Sequence, residues 1–538
     1  MTMLRARPGG VAPAGARPRP APGGGSAGRG VPWPLLALLA LQALLSLRLI
    51  WANTAFLDEA TYIWAGRVEL WHTIDGTSVP DYASYFSGAP PIYPPLAGAA
   101  DILGGLAAAR LLSLAFMLGA TGMLWGTARS MLGQRVALPA VALFVTISST
   151  QFLGALATYD AMALFLLTLS ARLLVAASGR ADSTPLLVAA VAALVAANAT
   201  KYSTGIFDPV VLAMAVLGSP HGIKAGVGRA GLIATLTTAS IATLLSLGGP
   251  PYLAGLEFST VARAAGTASP LLVLADSARW TGVDMALAAV GAAAGWCRGE
   301  HRGLLVVLAA AGLVVPASQA RIHTAVSLDK HVDFGAWFAC VAAGYAISKL
   351  SGWSRRRLWR GATAVAVAAA IAGPAGAPGR SQALDFEGSW PGTTRVVATL
   401  RPLVREHPGR YLAEDEQVMG YYLEGEVPWQ DWTDTWYLSY REPGTGTRVA
   451  GSTSGVSLAT IRSSAVGKAL VSAIRHQYYS LIMLDFGDTQ GVDQVITSAI
   501  RHYRTYRLAA QVRADDRFGG STYLIWAPAR AAVVPPPR

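Results

Sequence analysis

Asp58 and Glu59 stand side by side in NTAFLDEATYIWAGRVELWHTIDG (53–76), where Phe56, Ala60, Ile63, Trp64 and Trp71 fall on one helical face. Carboxylates are proton acceptors in acid–base catalysis, and a helix N-terminus favours them through its dipole. The same pair serves equally as a helix cap in water. Asp160, in SSTQFLGALATYDAMALFLLTLS (148–170), reads first as the N-cap of a further helix and second as a chemical group. Lys201 and Tyr202 follow in ANATKYSTGIFDP (197–209), and Arg263 lies in YLAGLEFSTVARAAGTASP (252–270). ASQARIHTAVSLDKHVDFGAWF (317–338) supplies Arg321, His323, Asp329, Lys330 and His331. Cations of this kind form a lip for a phosphate, although an acidic neighbour, a lipid headgroup or water would also satisfy them. His323, Asp329 and His331 could hold a divalent metal ion, but their spacing matches no closed ligand motif.

The elements that must position these groups follow from composition. Only 14% of the 538 residues are charged and 53% are hydrophobic, against roughly 25% charged in soluble domains. A polytopic α-helical membrane protein is expected. The segment 31–52 is long enough to span a bilayer and reads as an uncleaved anchor. Ten further apolar segments follow, near 106–128, 136–154, 161–179, 185–200, 204–218, 231–249, 282–297, 303–320, 333–349 and 361–378. Residues 1–30 form a Gly/Pro-rich tail with five arginines and no acid, which reads as disordered. With that tail in the cytoplasm, the cytoplasmic side collects eighteen basic residues against Asp182 and Glu300 alone. That imbalance satisfies the positive-inside preference for eleven spans. It also places the polar residues named above on the outer face, with the C-terminus outside. The formal net charge of +12 thus belongs to cytoplasmic loops, and nucleic acid is not an expected partner.

Residues 380–538 are a different material, with 17 basic and 16 acidic residues. The chain therefore divides into a tail (1–30), a membrane domain (31–379) and an extracytoplasmic domain (380–538). In the last, RYLAEDEQVMGYYL, YYSLIMLDFGD and STYLIWAP read as strands or strand–helix transitions, and VGKALVSAIRHQ and GVDQVITSAIRHY as amphipathic helices. A small α/β domain is expected. PWQDWTDTWYLSY (428–440) is rich in aromatics and acids, and reads as packing before it reads as a sugar or acceptor surface. Cys297 and Cys340 have no partner at metal-ligand spacing and read as packing residues.

FLDEATY, YPPLAG, ATYDAMALFLLTLS, ATKYST and LDKHVDFGAWF, in that order, resemble the GT-C superfamily of membrane glycosyltransferases. The branch they look like contains the protein O-mannosyltransferases and the lipid A aminoarabinose transferase. The likeness covers most of residues 35–350. It implies a plasma-membrane enzyme that takes a sugar from a polyprenyl-phosphate donor and passes it to an acceptor hydroxyl of the cell envelope. The resemblance gives Asp58 the role of catalytic base, with Glu59 beside it as a structural or substrate-binding residue. Lys201, Arg263, Arg321 and Lys330 would stabilise the departing phosphate, and direct displacement would invert the anomeric centre. Asp160, Tyr202 and His331 complete the substrate-binding set. Aminoarabinose-transferase relatives often carry a Glu-Lys pair before Pro-Pro-Leu. Here Ile92 and Tyr93 stand in its place, which puts the relatives' metal-site assignment in doubt and leaves Tyr93 as the candidate at that position. The competing readings are a transporter or flippase of lipid-linked sugars, with Arg48, Arg110 and Asp208 at depth, and a non-catalytic envelope assembly protein.

Overall fold

The computed structural model describes residues 32–179, 183–263, 265–351, 378–441, 447–452, 458–487 and 489–529. The tail 1–30, the loop 442–446 and, save its last residue, the segment 361–378 lie outside these residues.

Apolar sequence becomes helix nearly throughout residues 33–351. Helix α1 is Trp33–Ile50, α2 Leu57–Asp75 and α3 Tyr93–Leu132. The next, α4, is Gln134–Thr146, with α5 at Ser148–Leu153, α6 at Tyr159–Ser178 and α7 at Thr184–Thr200. A 3₁₀ turn, Tyr202–Phe207, leads to α8, Asp208–Leu217. Then come α9 (Ile223–Gly248), α10 (Pro250–Ser259), α11 (Pro270–Arg298), α12 (Arg302–Ala311), α13 (Val314–Arg321) and α14 (Leu328–Ser351).

Four of the described helices, α1, α3, α6 and α9, are long and apolar enough to cross a membrane, or five spans if the bent pair α12–α13 counts as one. The sequence expectation of eleven rested on apolar stretches that are shorter or interrupted here. The stretch 136–154 breaks at Ile147, whose extended ψ of 135° ends α4, and 303–320 bends by 45° between α12 and α13. The long α3 kinks at Gly104–Gly105, where Gly105 takes φ +66°, a conformation that favours glycine. The main core of the helical part gathers Leu124, Phe144, Leu164, Val211, Trp337 and Phe338 among others.

Beyond residue 378 a short helix, α15 (378–387), precedes α16 (Thr394–Glu406). Strands β1 (Tyr411–Ala413), β2 (Trp432–Asp434), β5 (Leu481–Leu484), β6 (Tyr506–Ala514) and β7 (Ser521–Pro528) form one sheet in the order β2-β1-β5-β7-β6. The strands β2, β1 and β5 run parallel, and β7 and β6 complete the sheet antiparallel. A separate hairpin joins β3 (Tyr437–Arg441) to β4 (Arg448–Ser452). The helices are α17 (Glu416–Leu423), α18 (Leu458–Ser463), α19 (Ala465–Arg475) and α20 (Gln490–Tyr503).

Alternation along the strands assigns the two faces. Leu412, Ile482 and Leu484 pack with α19 and α20, while Tyr411, Ala413, Leu481 and Met483 share a core with α16, α17 and helix α2. Glu414, at the end of β1, is 2% exposed. Its carboxylate accepts the backbone N–H groups of Asp485 (3.3 Å), Gly487 (3.2 Å) and Thr489 (2.9 Å), which fixes the loop between β5 and α20.

The C-terminal part docks on the helical part through α17 and the segment before α16. Gly420 faces the Trp64 ring of α2, so closely that an added Cβ would overlap it. Asp101 of α3 is bonded by Arg67 and accepts from Tyr421 Oη at 2.7 Å, and Arg67 also reaches Glu424 at 2.7 Å. Tyr422 Oη accepts the Ala55 N–H at 2.8 Å. Replacing Gly420 by Leu forces α17 off α2 because well-packed contacts do not absorb added volume. The expected outcome is a C-terminal part released by limited proteolysis at protease levels that leave the unsubstituted protein intact.

Candidate functional site

The first turn of α2 separates the two neighbouring acids by function. Phe56 occupies the N-cap position, and it is Glu59 that turns back to cap the helix, with Oε2 accepting the Phe56 N–H at 2.9 Å. Glu59 is completely buried. Its other oxygen accepts the Ala157 N–H at 2.7 Å, which ties α2 to the chain just before α6. Arg110, a cation in the middle of the apolar α3, closes on Glu59 with Nε at 2.8 Å and Nη2 at 2.7 Å. The same guanidinium donates to the carbonyls of Ile50 (2.6 Å), Asn53 (3.0 Å) and Thr54 (3.1 Å). Glu59 and Arg110 thus fix the loop 50–59.

Asp58 is left for other work. Its side chain is 34% exposed, and one oxygen meets Lys330 Nζ at 2.5 Å. Lys330, itself nearly buried, lies 5.3 Å from the centre of the Phe56 ring, and Phe56 packs on Trp390 at 5.0 Å. Trp390 Nε1 donates to the Thr54 carbonyl at 3.0 Å.

Asp160 does not cap α6, contrary to its first reading from sequence. Its buried carboxylate accepts from Lys201 Nζ at 2.5 Å and from Thr158 Oγ1 at 2.9 Å. Lys201 also lies 2.8 Å from His331 Nε2 and 4.9 Å from the Tyr159 ring centre, and His331 Nδ1 sits 3.0 Å from the Gln319 amide. Burial pulls the Lys201 ammonium below its ordinary range, with Asp160 opposing. Since Lys330 and His331 are consecutive on α14, that helix joins the Asp58–Lys330 and Asp160–Lys201 pairs.

Two cavities adjoin Lys201 and the chain that follows it. One, of about 600 Å³, has Lys201, Tyr202, Arg263, Gln319, Arg321 and His331 in its wall. Burial lowers the Arg263 guanidinium from its ordinary range. The other, about 500 Å³, is apolar and lined by Ile92, Ile241, Leu244, Leu247, Tyr252 and Leu256 among others. Tyr202 and Gly205 border both. An anionic head in the first cavity and a hydrocarbon chain in the second would suit one amphiphile.

Most sequence candidates therefore converge, and Tyr93 is the exception. It is 1% exposed and packs edge-on against Tyr62 at 6.4 Å, away from the walls of both cavities. The residues that the sequence reading did not place at the site are Arg110, Glu387 and Trp390. The signal for Arg110 was present, because an arginine in the middle of an apolar helix requires a partner. Glu387 and Trp390 carried none, since their contacts span more than 270 residues of sequence. As for a divalent ion, no group of three or more His, Cys, Asp or Glu side chains placed to hold a metal occurs among the described residues. Asp58 and Asp160 each already face a lysine.

No family model matches the sequence, and no curated protein matches it. Solved structures do. ArnT from Cupriavidus metallidurans, bound to undecaprenyl phosphate, superposes with a TM-score of 0.58 over 94% of this chain and 99% of its own, at 13% identity. The fold is GT-C. The archaeal oligosaccharyltransferase AglB from Archaeoglobus fulgidus, in complex with an inhibitory peptide and a dolichol-phosphate, gives 0.56 over 93% of this chain and 75% of its own, at 12% identity. The mycobacterial arabinofuranosyltransferase AftD gives 0.50 over 91% and 41%, at 16% identity. At these identities the likeness is one of fold, and it includes the C-terminal part as well as the helices.

The two neighbouring acids of α2 differ in what their loss should do. Glu59→Ala removes the carboxylate that holds Arg110, leaving only Glu387, at 3.4 Å, as its counter-charge, and should cost about 3–5 kcal/mol of stability. Asp58→Asn removes one of the charges facing the buried Lys330 but keeps an oxygen in its reach, and should cost less, about 1–3 kcal/mol. Unfolding midpoints of both variants in one detergent measure the contrast.

Proposed function

We propose that the protein is an integral-membrane glycosyltransferase that moves a sugar from a polyprenyl-phosphate donor to an acceptor hydroxyl on the extracytoplasmic face. The observation that carries this reading is a cavity with Lys201, Arg263 and Arg321 in its wall that adjoins an apolar one, while α14 presents His331 to the first cavity and, one residue earlier, Lys330 to the partly exposed Asp58. In this reading the phosphate of the donor sits among Lys201, Arg263 and Arg321, and the polyprenyl chain lies along the apolar cavity. Structures of the same fold hold undecaprenyl phosphate and dolichol-phosphate, which supports that class of donor.

The reaction is a single displacement. Lys330 orients one oxygen of Asp58, and the other takes the proton of the acceptor hydroxyl. The acceptor oxygen forms its bond to the anomeric carbon as the bond from that carbon to the phosphate oxygen breaks. The released polyprenyl phosphate keeps the electron pair, and the cations of the cavity stabilise its charge. Attack opposite the leaving group inverts the anomeric centre. Glu59 holds the loop and does not touch substrate. A transport reading has less support, because the deep Arg48 is engaged with Gln151 and the Arg380 carbonyl and Arg110 is saturated by Glu59 and three carbonyls.

Asp58→Asn should lower transfer about 10²–10⁴-fold, the range for a general base, while polyprenyl-phosphate binding persists. Radiolabelled polyprenyl-phosphate sugars and purified protein test this, and unchanged transfer removes Asp58 from the mechanism. Lys201→Ala and Arg263→Ala should instead weaken donor binding, read as a raised KM.

A further inference from the structure

Arg110 has five N–H donors, and five acceptor contacts use them: two to Glu59 and one each to Ile50, Asn53 and Thr54. A second carboxyl nevertheless approaches the same guanidinium. Glu387, at the end of α15, is 1% exposed and lies 3.4 Å from Arg110 Nη1. Both of its oxygens are buried without a hydrogen-bond donor. Glu387 shares the charge of Arg110 but none of its hydrogen bonds, a costly arrangement for a carboxylate and a tolerable one for a neutral carboxyl.

Its backbone is committed to the same loop. Asn53 Nδ2 donates to the carbonyls of Glu387 (3.0 Å) and Trp390 (2.9 Å), and Thr54 Oγ1 accepts the Thr393 N–H at 3.0 Å. From there Trp390, Phe56 and Lys330 lead by direct contact to Asp58.

We propose that Glu387 is a positioning residue for Asp58: a carboxyl from the C-terminal part that stands with Glu59 at Arg110 and, while neutral, keeps the loop 53–59 in the shape that presents Asp58. The inference rests on the transferase reading. The charged and titratable groups facing Glu387 are Arg110 from α3, Glu59 from α2 and, through these two, Tyr422 from α17. On its own helix, Asp385 is paired with Arg517 at 2.7 Å. Burial pushes the Glu387 carboxyl well above the usual range, Arg110 opposes, and Glu59 adds to the rise. A group raised in the folded state stabilises it fully below the ordinary carboxylate range, and that stabilisation is lost as pH climbs through the raised value.

The test compares the unsubstituted full-length chain with Glu387→Gln and Glu387→Ala in nanodiscs. Glu387→Gln copies the neutral form and should keep kcat within about twofold of the parent. Glu387→Ala should lower kcat on the order of tenfold or more at unchanged KM for the donor, the signature of a misplaced catalytic group. The parent should lose rate on the alkaline side where Glu387→Gln does not. Equal losses in both variants, or identical alkaline limbs in parent and Glu387→Gln, overturn the proposal. If the parent transfers no sugar from any polyprenyl-phosphate donor, the transferase reading fails separately. The thermal midpoint then decides: it should fall more steeply with rising pH in the parent than in Glu387→Gln, and parallel curves overturn the role assigned to Glu387.

Discussion

A charge taken out of water must be repaid on the spot, and Arg110 sets that condition for the whole site. Its guanidinium is wholly buried, so every donor has to find an acceptor close at hand. The acceptors come from the end of α1, the loop behind it and the first turn of α2. Meeting the demand of one side chain therefore fixes the path of the chain from Ile50 to Glu59. Asp58 lies on that path, and its direction follows from its neighbour's confinement.

The same logic, with softer partners, extends outward. The pairs Asp58–Lys330 and Asp160–Lys201 meet at α14, so that each lysine has a carboxylate beside it. Arg263 and Arg321 have no comparable acid among the contacts described above, and they border the cavity of Lys201. Of the two, Arg263 is half-buried and Arg321 exposed, so an incoming anion would meet the stronger attraction at the less solvated Arg263. Helices position these groups at their ends, where backbone N–H groups and chain reversals permit polar side chains. The apolar lengths between serve as struts.

Much of this could be read from the chain before its fold was known. Asp58, Asp160, Lys201, Arg263, Arg321, Lys330 and His331 were conspicuous as polar residues in an apolar sequence, and charge asymmetry placed them on one side. The division of labour between Asp58 and Glu59 was not legible, because adjacent acids in a first turn have equal access to the helix dipole; only the buried Arg110 selects between them. The surroundings of Tyr93 were not legible, because sequence order before α3 does not say whether a ring turns to a cavity or to a neighbouring tyrosine. Helix ends were less legible than apolar stretches where a helix breaks without a marker, as at Ile147, which no neighbouring proline or glycine announces. The contribution of Glu387 and Trp390 is a long-range contact, and local pattern carries no trace of it.

Glu414 gives the C-terminal sheet a character of its own. In open sheets with parallel strands, ligands settle outside the strand ends where the connecting helices change face. Here β1 and β5 meet at such a place, and the backbone N–H groups of Asp485, Gly487 and Thr489 converge as they would around a phosphate. The chain fills this cradle with its own carboxylate. The place where an open sheet of this kind is accessible is thus closed by a side chain of its own, and the opposite face of the sheet is a stiff plate against which α16, α17 and α2 are pressed.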